Sequence, residues 1–254
     1  MMELIKVTKK NIEEEHICCA ISNNEDCQVV SKKQWLKKRF KEGLVFLKGN
    51  VRGKCFIEYV PAENAWCPIE ANDYMFIDCL WVSGKFKGEG YSNELLKACI
   101  ADSKKKGKLG LVILSAKKKI PYISHPKYLK YKGFKLADTS GPFYELFYLP
   151  FSENACKPCF MKHIKSPSIK EQGFVLYYSN QCPFTAKYVP IIEKIAHDKK
   201  IAFKAIKIES TEEAKMAPAP FVTYSLFYNG EFMTNEILSD KKFEKIVNEK
   251  AARE

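Results

Sequence analysis

The run "KFKGEGYS" holds Lys85, Phe86, Lys87, Gly88, Glu89, Gly90, Tyr91 and Ser92. It stands between an apolar run, "YMFIDCLWV", and a stretch of helical spacing, "SNELLKACIADSKKKG". A helix start leaves four backbone N–H groups without partners and concentrates about half a positive charge there. Glycines just ahead of it let the chain approach an anion closely, because no Cβ intervenes. The lysines add charge, so the run suits a bound phosphate. The Gly-Lys-Ser/Thr ending of a nucleotide P-loop is missing. So are the three spaced glycines and the distant acid of a dinucleotide fingerprint. A pyrophosphate that belongs to neither class points to coenzyme A. On the pattern alone, a plain tight turn fits equally well.

Other side chains invite chemistry. Asp78 lies in the strand before the turn, and Glu58 and Glu70 lie around "FIEYVPAENAWCPIEA". Acids in such apolar company are uncommon. They are candidate bases, with a structural pairing as the alternative. Trp66 and Trp81 are candidates for lining a pocket or for ordinary packing. Cys182, in "YYSNQCPFTAKYV", falls between a strand and a helix. A helix N-terminus favours the thiolate, which predicts a lowered pKa and a reactive thiol. Cys156-Lys157-Pro158-Cys159 with His163 offers three ligands, short of a structural zinc site, so no metal is expected. A redox pair and an incidental pair of thiols both remain open.

The elements that must position these residues follow from periodicity. "TKKNIEEEHICCAI" and "KKQWLKKRFKEG" have helical spacing. "LVFLKGNVRGKCFIEYV" reads as a hairpin and "YMFIDCLWV" as a strand. A helix over about 92–106, the strand "LGLVILSA", a short helix "HPKYLKY" and the strand "YELFYLPF" follow. Residues 1–150 thus predict a mixed α/β domain. Residues 151–170, rich in Pro, Ser and Lys, read as a linker. Residues 171–254 read as β-α-β-α-β-β-α, with Pro190 interrupting the first helix and Asn229-Gly230 turning a hairpin.

The chain has 254 residues, which fits one or two domains. Its net charge is +12, with +9 in residues 1–150 and +3 in residues 151–254. A basic half favours anionic partners, either cofactor phosphates or a polyanion such as RNA, or simply a solvated lysine-rich surface. No apolar stretch approaches the ~18 residues needed to span a bilayer. The N-terminus lacks the apolar core of a signal peptide, so a cytoplasmic location is expected. With ten cysteines and no export signal, buried reduced thiols are expected.

"VSGKFKGEGYSNELL" resembles the acetyl-CoA signature of the GNAT acetyltransferase superfamily, with Lys85 where Arg or Gln is usual and with Gly88 and Gly90 in place. "LVILSA" and "HPKYLKYKGF" resemble its next block, which ends in Gly-Phe at Gly133-Phe134. The resemblance implies acetyl-CoA as co-substrate. It implies that the backbone of Leu80, Trp81 and Val82 pairs with the pantetheine arm and that residues 85–92 hold the pyrophosphate. A carboxylate such as Asp78 or Glu58 would serve as base, and a backbone N–H would polarise the carbonyl. The superfamily's frequent tyrosine acid falls on Leu129 here, flanked by Tyr128 and Tyr131; Tyr128 is the candidate. Cys182-Pro183-Phe184-Thr185 resembles the Cys-Pro-x-Cys of thioredoxin-like domains, with Thr185 in place of the second cysteine, which leaves a monothiol mechanism, a thiol sensor or, the favoured reading, a non-catalytic relic. Pro220 in "APAPFVTYSLFYNGEF" matches that fold's cis-proline. Taken whole, the chain resembles bacterial acetyltransferases carrying a C-terminal YoaP-like domain. The expected function is direct acetyl transfer from acetyl-CoA to an amine of a small molecule or peptide, with nucleic acid outside the expected partners. A thiol-redox or sensor protein using Cys182 beside a CoA-binding half is the alternative.

Overall fold

The computed structural model describes residues 2–17 and 23–251. Cys18, Cys19 and Ile21 of the first expected helix lie outside them. In chain order come β1 (Leu4–Val7), α1 (Cys27–Arg39), β2 (Val45–Gly49), β3 (Cys55–Pro61), β4 (Ile69–Glu70), β5 (Tyr74–Val82), α2 (Tyr91–Lys105), β6 (Gly110–Ala116), α3 (Pro126–Tyr131), β7 (Lys135–Ser140) and β8 (Tyr144–Pro150). Then follow β9 (Cys159–Phe160), β10 (Phe174–Tyr178), α4 (Pro183–Asp198), β11 (Phe203–Lys207), α5 (Thr211–Lys215), β12 (Tyr224–Tyr228), β13 (Glu231–Thr234) and α6 (Asp240–Ala251).

The first half is a seven-stranded mixed sheet in the order β1-β2-β3-β5-β6-β8-β7. Only β5 and β6 pair in parallel. One face packs on α2 and α3 through Leu95, Leu96, Cys99 and Leu129. The other face packs on α1 through Val29, Trp35 and Leu36. The second half is a four-stranded sheet in the order β11-β10-β12-β13, with β10 and β11 parallel and its remaining pairs antiparallel.

The two halves share a core. Ile208, Ala214, Ala217 and Val222 belong to the same apolar cluster as Trp35, Phe56 and Trp66, and α1 packs against α4. A buried cation sits at this joint. Arg39, 1% exposed, lies over the rings of Trp35 and Trp66 at 5.6 and 4.8 Å. It donates to Glu42, to the Asn64 carbonyl and, at 3.1 Å, to Thr211 Oγ1. Trp66 Nε1 donates to the same hydroxyl at 3.2 Å. Residues 151–170 connect the halves and are packed: β9 pairs with β4, and Phe160 and Ile164 are buried.

Four expectations are corrected. Residues 9–15 form turns rather than a helix, because the Thr8 N–H bonds the Asn11 side chain at 2.7 Å and closes the chain on itself, although Ile12 and Ile17 are buried as their spacing implies. Helix α1 starts earlier than the apolar spacing suggested, at a cap in which Asp26 accepts from the Gln28 N–H at 2.8 Å. Pro190 lies within α4 without ending it. Strands β1, β4, β7 and β9 were not foreseen; they are short or polar, and their partners decide them.

Arg39→Ala empties the joint between two tryptophans and removes its polar bonds, and is expected to cost about 2–4 kcal/mol of stability. Urea unfolding of the full chain measures it.

Candidate active site

The geometry begins with a break in strand pairing. β5 and β6 pair from Tyr74↔Gly110 to Ile77↔Ile113 and no further. β6 then continues with β8 to Ala116↔Tyr144, and β5 continues with β3 to Val82↔Cys55. From Asp78 to Val82, the edge of β5 that faced β6 has no strand partner. The parting coincides with a β-bulge: Tyr59 faces Ile77 and Glu58 faces Cys79, which leaves Asp78 as the extra residue. Bulges bend a strand and re-aim side chains.

The glycine turn follows directly. Gly88 and Gly90 have φ of +94° and +81°, and a Cβ on either would meet no protein atom within 4 Å. Their backbone conformation favours glycine, and the space beside it is open. Gly90 precedes α2, and no side chain caps that end. Free N–H groups and the helix dipole therefore face the same open space. A cavity of about 780 Å³ lies where the strand break and the turn meet.

Most of the expected residues line it. Leu80, Trp81 and Val82 do, and so do Phe86, Lys87, Gly88, Gly90, Tyr91 and Ser92, whereas Lys85 and Glu89 do not. Lys85 instead lies over the Phe86 ring at 5.4 Å. Asp78, Tyr128, Trp66 and Trp81 also line the cavity. Leu129 is buried in the core behind α3, and Tyr131 is 80% exposed at the rim. Burial pushes the Tyr128 phenol up, with the Ser92 hydroxyl opposing, so it keeps its proton at neutral pH. Glu70 is not in the cavity wall; it accepts a thiol hydrogen bond from Cys159 at 3.7 Å across the β4–β9 pair.

Glu58 also lies outside the wall, within the protein. Glu58 and Lys32 are 1% and 3% exposed and bond at 2.7 Å. Lys32 also lies over the Trp35 ring at 4.1 Å. Asp78 is the neighbour of this pair. Its desolvation, with the Glu58 charge adding and Arg39 and Lys32 opposing, pushes its carboxyl up to about 7. One Asp78 oxygen accepts from Gln181 Nε2 at 3.3 Å, and the other is buried with no hydrogen-bond partner. A carboxyl that changes charge near neutrality, in a cavity, has the character of a general base.

Residues of the second half complete the wall: Gln181, Pro220, Phe221, Val222 and Thr223. The sequence gives no periodic or motif signal for this role; only the packing of one half on the other brings them there. Pro220 is among them, but its peptide bond is trans, since the cis bond among the described residues is Gly141–Pro142. Cys182 does start α4, yet its thiol is pushed up to about 11. Burial outweighs the helix dipole, contrary to the lowered value that its position implied. Thr185 Oγ1 bonds the Ser179 and Cys182 carbonyls at 2.7 Å each, which fixes the turn where a second thiol would stand. Among the described residues no group of acids, histidines and cysteines could hold a metal ion, and no helix is long and apolar enough to cross a membrane.

A relative 44% identical over 96% of this chain and 98% of its own length is the uncharacterized N-acetyltransferase YoaP of Bacillus subtilis (strain 168). The chain belongs to the YoaP family of N-acetyltransferases. The YoaP-like family model matches residues 202–245, in the second half. Solved structures with overlapping folds include a GNAT family acetyltransferase from Brucella melitensis in complex with acetyl-CoA, at 13% identity over 64% of this chain and 97% of that one, with a TM-score of 0.38. Another is the PaiA N-acetyltransferase of Thermoplasma acidophilum in complex with coenzyme A, at 17% identity over 59% of this chain and 99% of that one, with a TM-score of 0.40. The segment matched by the YoaP-like model includes Pro220, Phe221, Val222 and Thr223 of the cavity wall.

Asp78 gives this site a stability cost. An ordinary aspartate titrates near 3.8 and Asp78 in the fold near 7. Its contribution to stability is therefore highest below pH 3.8, falls between the two values and stays low above pH 7. Asp78→Asn is expected to raise Tm at pH 8 and to leave it nearly unchanged at pH 4, as read by calorimetry at the two pH values.

Proposed function

We propose that the chain is an acetyl-CoA-dependent N-acetyltransferase that moves an acetyl group directly to an amine, with residues 1–150 folded as a GNAT domain. The observation that carries this is one cavity in which three features meet: the unpaired edge of β5, the uncapped glycine start of α2, and Asp78. The open space beside Gly88 and Gly90 and the Lys87 ammonium fit a pyrophosphate. The free edge at Leu80, Trp81 and Val82 fits the amide-bearing pantetheine arm, which pairs as an added strand would. Acetyl-CoA supplies the activated acyl group as a thioester. Asp78 takes a proton from the acceptor's ammonium, because only the neutral amine attacks. Tyr128 Oη holds a proton for the departing thiolate. Glu58 acts at one remove, through its charge on Asp78 and its bond to Lys32.

We also take residues 171–254 as a YoaP-like unit of thioredoxin-like type joined by residues 151–170, a reading supported by the strand order β11-β10-β12-β13. No observation favours the thiol-redox alternative: the Cys182 thiol is held protonated, and Thr185 stands where its partner would be.

Gly90→Asp places a carboxylate where the phosphates sit and is expected to weaken acetyl-CoA binding by ~tenfold or more; unchanged affinity in the folded variant, measured calorimetrically, would refute the cradle. Thiol release from acetyl-CoA in the presence of an acceptor amine should rise through an acid limb near pH 7, where Asp78 loses its proton. Asp78→Asn should cut turnover by about a hundredfold or more.

A further inference from the structure

The acceptor side of the cavity is built by both halves. Thr223 Oγ1 donates to Gln181 Oε1 at 3.1 Å, which turns the other end of the amide, Nε2, to Asp78 at 3.3 Å. On the facing wall, the segment from Lys119 to His125 runs beside β6, bridged at Ser115↔Ser124. Its carbonyl at Pro121 accepts from Asn235 Nδ2 of the second half at 3.1 Å, and Asn235 is 3% exposed. Tyr122 in that segment has φ of +64°, a conformation that bulky residues avoid unless their surroundings hold them there. Both the base and the loop across from it are therefore fixed by side chains of the second half.

The chemistry of the wall selects a ligand. Asp78 is the one carboxylate among the residues lining the cavity, and the other charged side chains there are Lys87, Lys119 and Lys132. A second ammonium on the acceptor would find no second carboxylate among the lining residues. The same cavity wall carries the apolar and aromatic side chains of Trp66, Trp81, Tyr122, Phe221 and Val222. Such surfaces hold a ring by area and by face contacts, and aromatic faces also favour an ammonium nearby.

We propose that the acceptor is a primary monoamine carrying an apolar body of about ring size, bound in a composite pocket completed by the second half, with Gln181 as the residue that positions Asp78. The proposal rests on the acetyltransferase reading above. The full-length protein is assayed for thiol release from acetyl-CoA with 2-phenylethylamine, tryptamine, spermidine and kanamycin. The expected result is kcat/KM for the two arylalkylamines at least ~tenfold above that for the polyamines, about 1.4 kcal/mol of discrimination. Preference for spermidine or kanamycin overturns the substrate class, as does failure of both arylalkylamines in protein that binds acetyl-CoA calorimetrically. Failure to bind acetyl-CoA overturns the acetyltransferase reading itself.

Gln181→Leu and Thr223→Val test the positioning. Gln181→Leu removes the donor to the ionised carboxyl, and Thr223→Val removes the hydroxyl that orients that donor, so the acid limb of kcat/KM should move up by about half a pH unit or more while acetyl-CoA affinity stays unchanged. Gln181→Asn keeps the amide but shortens its reach, and should recover part of the rate at best. An unmoved acid limb in folded Gln181→Leu and Thr223→Val overturns the role of Gln181.

Discussion

The parting of β5 from β6 after Ile77 is the constraint on which the rest depends. A sheet normally satisfies every interior N–H and C=O on both sides of a strand. Here one strand end gives up a partner on one side while β3 holds it on the other. The bulge at Asp78 supplies the local bend, and the glycine turn at the end of β5 carries the chain away before another strand can fill the gap. The cavity, the free backbone edge and the uncapped helix start are consequences of that single break.

Behind the opened region lie buried charges with little water to shield them. Lys32, Arg39 and Glu58 are buried near Asp78, and each is held by something rigid: a carboxylate, two indole faces, a threonine hydroxyl. Such groups add less to stability than their number suggests, because desolvation offsets attraction. Their value lies in tuning one carboxyl. Glu58 and dehydration push Asp78 towards the neutral acid, and the two cations limit how far.

The glycine turn was legible in the sequence because its chemistry is local. Gly88, Gly90 and the start of α2 need only their neighbours to define them. The same holds for α2, β5, β6 and the β12–β13 hairpin at Asn229-Gly230, whose positive φ values follow from residue type. Asp78 was visible as an acid in an apolar strand. Its bulge was not, because a bulge is a relation between two strands. Cys182 shows the limit of local reasoning from the other side. Its position at a helix start was read correctly, but the packing around it removed the water that a thiolate needs. Gln181 and Thr223 carry no motif, and they matter only because α4 packs on α1. Tyr128 rather than Leu129 reaches the cavity because α3 turns Leu129 into the core.

The shared core of the two halves also bears on the order in which the chain is made. Ile208, Ala214, Ala217 and Val222 come late in the sequence yet cover the face formed by Trp35, Phe56 and Trp66. During synthesis the seven-stranded sheet emerges complete, with its open glycine turn, while that face is still bare. The residues of the second half in the cavity wall, Gln181 and Pro220 to Thr223, arrive only with the last third of the chain. On the function proposed above, a growing chain holds the means to grip a thioester before the pocket that would choose an amine is complete.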